Sequence, residues 1–599
     1  MPLLAKVLSA GVGIGALAGC HALLDTDGID FGPAPSSPSP SAGGTGPGGA
    51  GSTATAGGAT ATGGAAATGG ASAQGGGGSD GGAGGAPGKT NGAPCQNGAE
   101  CASGHCADGV CCDASCDGSC VSCLSALTGV ADGTCAPVPD WTDPEDDCQS
   151  PQACTMGACG SPTGAHVWST SFPTADFNGE GFGRNVAVGP AGEVVVAGQY
   201  VGTMSVAGQM LTSGNGSYDV FVVKLDAAGS LLWAKSFGST IDDDAAGVAI
   251  DAQGNVVLAA TVGGAVSFGG PVLSGNGGDD VAVVKLDASG THVWSKLFGN
   301  GLDQTAEGVA VAANGDVLAT GYFFGAMTFG ATTLTNALNE DAFVARLAGA
   351  DGTPLWARRF GSSVSGVQVR GNAVAVAPDG DVLATGAFEG LIDFGAGTLG
   401  SQGGFDVYVV ELSGATGATV WAKPMGGTGT DRGLDVAVAS DGRVVVGGEF
   451  TGTASFGGGS VTSAGGYDGF LVVLDAAGKH LSSRVLGGAS TDRVLSADVG
   501  PGGYFVAGGS FNSPSLDAGG APIASQGSYD VFVAKYAADG EHAWSKGFGP
   551  ASNQMLAALA VDQKKSDIAL TGSFSPSASF GGALLTTVTE APFVVKLAP

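Results

Sequence analysis

Beyond residue 160 the chain alternates short apolar runs with breaks rich in glycine and aspartate, and the same order of runs returns to the end. In the second unit the runs are GVAID, NVVLAAT, DVAVVKLD and HVWSKLFG, with AQG between the first two and ASG between the last two. Tight Asp/Gly breaks between β-type runs predict hairpins. The DVAVVKL run is apolar at nearly every position instead of alternating. That predicts a strand buried on both faces, as in a sheet packed between two neighbouring sheets.

Two markers count the units. The first is HVWSTSF, LLWAKSFG, HVWSKLFG, PLWARRFG, TVWAKPMG, HLSSRVLG and HAWSKGFG, with Trp168, Trp233, Trp294, Trp356, Trp421, Ser482 and Trp544 in one slot at spacings of 65, 61, 62, 65, 61 and 62. The second is YDVFVVKLD and its copies, with Asp219, Asp280, Asp341, Asp406, Asp468 and Asp530, and Pro592 read into the seventh slot. Seven units of four strands predict an all-β chain, a seven-bladed β-propeller. The repeat region opens on a tryptophan strand, Ala165–Phe172, and stops on an FVVKL strand, Phe593–Leu597. Closure of the last blade by the N-terminal strand is therefore expected, since it removes an exposed seam.

These runs resemble the repeat of bacterial seven-bladed β-propeller surface proteins, with its W-x-K-x-F-G and D-x-F-V-x-K-L-D signatures. Trp233-Ala-Lys235-Ser-Phe237-Gly238 and Asp219-Val-Phe221-Val-Val-Lys224-Leu225-Asp226 carry the likeness, which spans residues 161–599. Ser482 and Pro592 depart from it. The resemblance implies an architecture and no catalytic activity.

The first 160 residues differ in kind. In MPLLAKVLSAGVGIGALAGC a single lysine precedes a short apolar stretch and a small-residue site, the layout of an export signal over 1–20. Leu17-Ala18-Gly19-Cys20 resembles the bacterial lipobox, which implies lipidation of Cys20. The address this implies is an exported, lipid-anchored protein of the outer membrane or cell surface. Residues 21–93 are dominated by Gly, Ala, Ser, Thr and Pro and predict a flexible tether. Its 33–93 portion has an r.m.s. span of roughly 40–47 Å. Residues 94–160 hold Cys95, Cys101, Cys106, Cys111, Cys112, Cys116, Cys120, Cys123, Cys135, Cys148, Cys154 and Cys159. In an exported chain that density predicts disulfides over zinc, with pairing left open. Its E-C-A-S-G-x-C-x-D-G-V-C-C core is similar to cysteine-rich modules of other bacterial surface proteins.

Composition then narrows the function. There are 22 Lys and Arg against 53 Asp and Glu, a net charge of −31, which argues against nucleic-acid binding. No G-x-S-x-G, G-x-x-x-x-G-K-[ST] or H-E-x-x-H motif is present. His166, His292, His480 and His542 share one repeat position and are expected to be exposed and spread around the rim. The loops leading from each tryptophan strand to the next unit hold Asp242, Asp243, Asp303, Glu307, Asp431, Arg432, Asp492 and Arg493, a candidate binding face. Turn formation is the first explanation of those carboxylates. Calcium is a second, and acid–base work on a glycan a third. No resident cofactor is expected. The insertion SSVSGVQVRGN at 362–372 offers Arg370 without an evident acidic partner. The expectation is a non-catalytic binding disk for a protein or glycan. A glycan-active enzyme and a purely structural envelope protein are the alternatives.

Overall fold

The computed structural model describes residues 164–599 except 276, 337–338, 365 and 550–552, together with short pieces between residues 90 and 160. Seven antiparallel blades of four strands make up the body, and the sheet of blade 4 is extended to six strands by the hairpin Thr453–Ser455 and Ser460–Thr462. Blade 1 is typical, running from Glu180–Val188 (inner) through Val194–Val201 and Asp219–Leu225 to Leu231–Phe237 (outer). The inner strands of blades 2 to 7 are Asp243–Ile250, Gln304–Val311, Val369–Val376, Asp431–Val438, Asp492–Val499 and Asn553–Val561. Each touches the inner strands of both neighbours, and blade 7 touches blade 1, so the ring is closed. Blade 7 takes its outer strand, His166–Ser171, from the start of the propeller and pairs it with Ala591–Leu597. The seventh aspartate slot is held by Ala591, which faces Phe574 as Asp341 faces Phe323; Pro592 lies one place further on.

The predicted doubly buried strand is found in every blade: all seven residues of Asp280–Leu286 are buried. Size complementarity across it recurs. Gly198, Gly321, Gly386, Gly448, Gly509 and Gly572 on the second strands face Phe221, Phe343, Tyr408, Phe470, Phe532 and Phe593 on the third. A Cβ on Gly321 would sit 2.0 Å from the Thr305 carbonyl oxygen and 3.0 Å from the Phe343 ring. In blade 2 the pair is Ala260 and Ala282, where the smaller partner leaves room for a methyl group.

Neighbouring blades are latched by the tryptophans. The Trp294 indole N–H donates to the Gly349 carbonyl of the next blade at 3.1 Å, and Trp168, Trp233, Trp356 and Trp421 make the same bond. A glycine in the receiving turn lies flat against each ring. Gly290 is one of them, with φ +81° and an added Cβ only 3.0 Å from Trp233. At the closing seam Trp544 covers Gly164, just before the first strand. Ser482 cannot reach across, and there the Arg484 guanidinium donates to the Gly540 carbonyl at 2.8 Å.

The sequence reading missed one element. Between second and third strands most blades insert a small hairpin, such as Thr203–Val206 with Gln209–Thr212. These strands of two to four residues are too short for periodicity to reveal. The four histidines pack onto their glycine turns. His292 lies against Gly270 and its Nε2 is 3.0 Å from the Ser295 hydroxyl, so these rings are half-buried and not freely exposed. They sit on four different blades and form no cluster.

In the cysteine segment, Cys95–Cys106 and Cys101–Cys111 are disulfides, and Cys112 is also disulfide-bonded. Cys95, Cys101 and Cys111 lie close enough to suggest a metal site, but their thiols are consumed in these bonds. Residues 1–20 with Cys20, the tether, and Cys116, Cys120, Cys123, Cys135 and Cys148 lie outside the described residues. So do the side chains of Cys154 and Cys159.

Candidate functional site at the central channel

The inner strands carry a β-bulge in every blade, which leaves one residue unpaired and re-aims its side chain. In blades 1 and 3 the bulged residues are Arg184 and Glu307, and both line the central cavity of about 230 Å³. Near the start of the inner strands lies a slot filled by Phe182, Asp244, Thr305, Arg370, Arg432, Arg493 and Met555. Three consecutive blades thus aim arginines at one end of the channel.

Those arginines are interleaved with rings. Arg370 lies over Tyr322 and Phe405 (5.4 and 5.7 Å), Arg432 over Phe405 and Tyr467 (5.7 and 5.8 Å), and Arg493 over Tyr467 (5.2 Å). Phe405 and Tyr467 each stand one residue before a repeated aspartate, and their backbone carbonyls accept from Asp431 and Asp492 on the next inner strand. The stack is therefore fixed by the strand register itself. Guanidinium over an aromatic face is favourable by about 0.5–2 kcal/mol, more where water is excluded. Arg370 grips Glu340 through Nε at 2.7 Å and Nη2 at 3.3 Å. Glu449 is shared, with Oε1 2.9 Å from Arg432 Nη1 and Oε2 2.8 Å from Arg493 Nε. Pairing with Glu449 and Tyr467 outweighs burial and raises the Arg432 pKa further.

The opposite wall is acidic. Arg184 Nε is 3.5 Å from Asp244. Burial raises the Asp244 pKa against the pull of Arg184. Glu307 is pushed well above the ordinary carboxylate range, first by burial and then by Asp244, with Arg370 and Arg184 opposing. Tyr322 is pushed up to about 12 by burial and by Glu307.

The eight loop residues singled out from sequence separate into three sets. Glu307, Arg432 and Arg493 line the channel. Asp242 and Asp303 are exposed and accept from the backbone N–H of Tyr218 (3.0 Å) and Asp279 (3.3 Å), capping two different seams. Asp243, Asp431 and Asp492 are buried and turn away from the face. Asp431 accepts from Gly427 N–H at 2.7 Å, and Asp492 from the Ser513 hydroxyl at 2.6 Å. Gln304 fills the same slot in blade 3 and accepts from Asn300 N–H at 2.8 Å, so the slot's work is loop closure. Burial raises the pKa of Asp243 to about 6 and of Asp431 to about 7, helped by Asp219 and Asp406 respectively. The carboxylates therefore do not gather as a face. Arg370, read as lacking a partner, is paired with Glu340. Arg184, Tyr322 and Glu449 were not singled out at all. Aligning the units on their tryptophans would have put the three arginines in register, but not the acids that answer them from other strands.

No family model matches the chain. Over 317 residues it is 26% identical to the regulatory protein FlaEY of Caulobacter vibrioides, covering 49% of this chain and 33% of that one. The chain thus spans about a third of the length of this relative. Among solved structures it is similar to the Pan2 WD40 domain of Neurospora crassa, at 9% identity and a TM-score of 0.39 over 73% of this chain and 95% of that one. BamB from Moraxella catarrhalis (13%, TM-score 0.32) is covered over 72% of this chain and 99% of its own. A quinohemoprotein alcohol dehydrogenase from Pseudomonas putida HK5 (12%, TM-score 0.33) is covered over 72% and 76%. At these identities and scores no activity passes from any of them to this chain, and the seven-bladed all-β architecture rests on its own strands.

Proposed function

We propose that the chain is an exported binding protein, anchored by a lipid on Cys20, whose propeller takes a protein or glycan ligand at the charged end of its channel without transforming it. The tether carries the disk away from the membrane, and the cysteine module is a rigid spacer. One observation carries the reading. In a chain with only 22 Lys and Arg, the blades differ at the inner-strand slot facing the channel, and three consecutive ones place arginines there, braced by rings. Identical positions around a ring build the fold, and a ligand site needs positions that differ.

A glycan and protein array, probed with the intact protein and with Arg432→Gln, tests it. A ligand retained by the intact protein and lost by the variant supports the reading. Retention by both moves the site off the channel. Glu307 supports a second reading, a glycan-active enzyme. Two interacting carboxyl groups, Glu307 held well above the ordinary range and Asp244 beside Arg184, are the kind of pair that glycoside cleavage uses as acid and base. Turnover of an array hit that vanishes in Glu307→Gln would replace binding by catalysis. Release of the protein from membranes by Cys20→Ser tests the anchor.

A further inference from the structure

Resting on the channel as the binding site, we infer that its ligand presents a carboxylate on a hydroxyl-rich body the size of one sugar acid. Blades 4 to 6 bring three guanidiniums to the channel end against two carboxylates, those of Glu340 and Glu449. Arg432 and Arg493 share Glu449, and Arg370 also faces Glu307, so Arg493 is the least fully paired of the three. It is only 5% exposed, its acidic partner is the half of Glu449 reached from Nε, and among the described residues its terminal nitrogens donate no hydrogen bond. Arg493 lines the channel with that fork of terminal nitrogens not engaged by the protein. The same fork is the geometry that a planar carboxylate fills with two parallel bonds. Glu449 itself, clamped between Arg432 and Arg493, shows that this spacing accepts a carboxylate.

The far wall limits the remainder of the ligand. Glu307 lines the channel there with Asp244 acting on it, so a second anionic group on the ligand would meet acid. The Glu307 carboxyl lines the cavity and offers acceptor oxygens to a hydroxyl. The Asn372 amide nitrogen is committed to the Gly433 carbonyl at 2.8 Å, which leaves its oxygen for a hydroxyl donor. Phe405 and Tyr467 each carry two of the arginines, which disfavours stacking a neutral sugar on them. At about 230 Å³ the cavity is smaller than the usual site for a drug-sized ligand, which favours a small body such as one sugar acid.

Calorimetric titration of the full chain with sodium D-galacturonate, D-glucuronate, D-galactose, D-glucose, inorganic phosphate and a galacturonate trimer tests this. The expected result is uronate binding at least about tenfold tighter than the matching neutral sugar, with phosphate weaker than either uronate. Arg493→Gln is expected to lose at least about tenfold of it, and Arg493→Lys, which keeps charge without the fork, to fall between. Should Arg493→Gln not fold, Arg370→Gln on the more open side of the stack serves. Trimer binding tighter than monomer marks the end of an acidic polysaccharide as the source, and equal binding marks the free sugar. Neutral sugars or phosphate binding as tightly as uronates overturns the inference, as does uronate binding indifferent to both arginine variants. If no uronate binds while the array yields a ligand lost in Arg432→Gln, the carboxylate is wrong and the channel stands. If the array yields none, both fall.

Discussion

The outermost and innermost strands of the ring are copies of the same repeat, yet they differ in how alike the copies are. On the outer strands six of seven blades place a tryptophan in one slot, and its indole covers a glycine turn of the next blade. On the inner strands the channel slot holds seven residues of five types, from Phe182 to Met555. The outer position meets the same neighbour in every blade, so one solution serves all seams. The inner position lies around the axis, where Arg370, Arg432 and Arg493 line one cavity and identical charges in every blade would repel. Closure of the ring asks for sameness, and a ligand site asks for difference.

That contrast can be broken from the structural side first. Gly321→Ala drives a methyl group into the Thr305 carbonyl and is expected to cost about 3 kcal/mol or more, read from the urea midpoint. An alanine as well tolerated there as Ala260 is in blade 2 would contradict the Gly–aromatic packing rule.

Trp294→Ala should cost about 3 kcal/mol through the lost indole and its bond to Gly349, while Ser482→Ala should stay within about 0.5 kcal/mol. Similar losses at both sites would mean that the tryptophans are not the latches.

The smallest effect concerns pH. Burial lifts Asp431 to about 7 and its neighbour Asp406 to about 6, from an ordinary 3.8. The folded state keeps protons that the unfolded chain releases, so this contribution is complete below about pH 4 and is lost as pH rises through 6 to 7. The melting temperature should therefore fall between about pH 5 and 8, and fall less in Asp431→Asn. A steeper fall in that variant would show the carboxyl to be an ionised acceptor at neutral pH.

The fold was readable because its determinants are local and repeated. The DVAVVKL run announces double burial by itself, and the tryptophan spacing counts the blades. The candidate site was only partly readable. Arg432 and Arg493 follow the tryptophan strands at a fixed place in the repeat, which makes them visible, and Glu307 was singled out with them, although all three stand on inner strands and not in loops. Asp431 and Asp492 stand beside those arginines in sequence, yet point into the seam because neighbouring strand residues face opposite ways. Arg370 seemed unpaired because Glu340 lies 30 residues earlier on another blade.

The sequence by itself determined the number of blades, the strand exchange that closes them and the disulfide character of the cysteine segment. Each follows from spacing or composition within a short stretch of chain. Only the tertiary structure decided which charges share the channel. Arg184, Asp244, Glu307, Arg370, Arg432 and Arg493 come from six blades, and their meeting depends on ring closure and on bulges that turn single residues inward. Local pattern fixes a strand. Which side chains meet at an axis is a property of the whole ring.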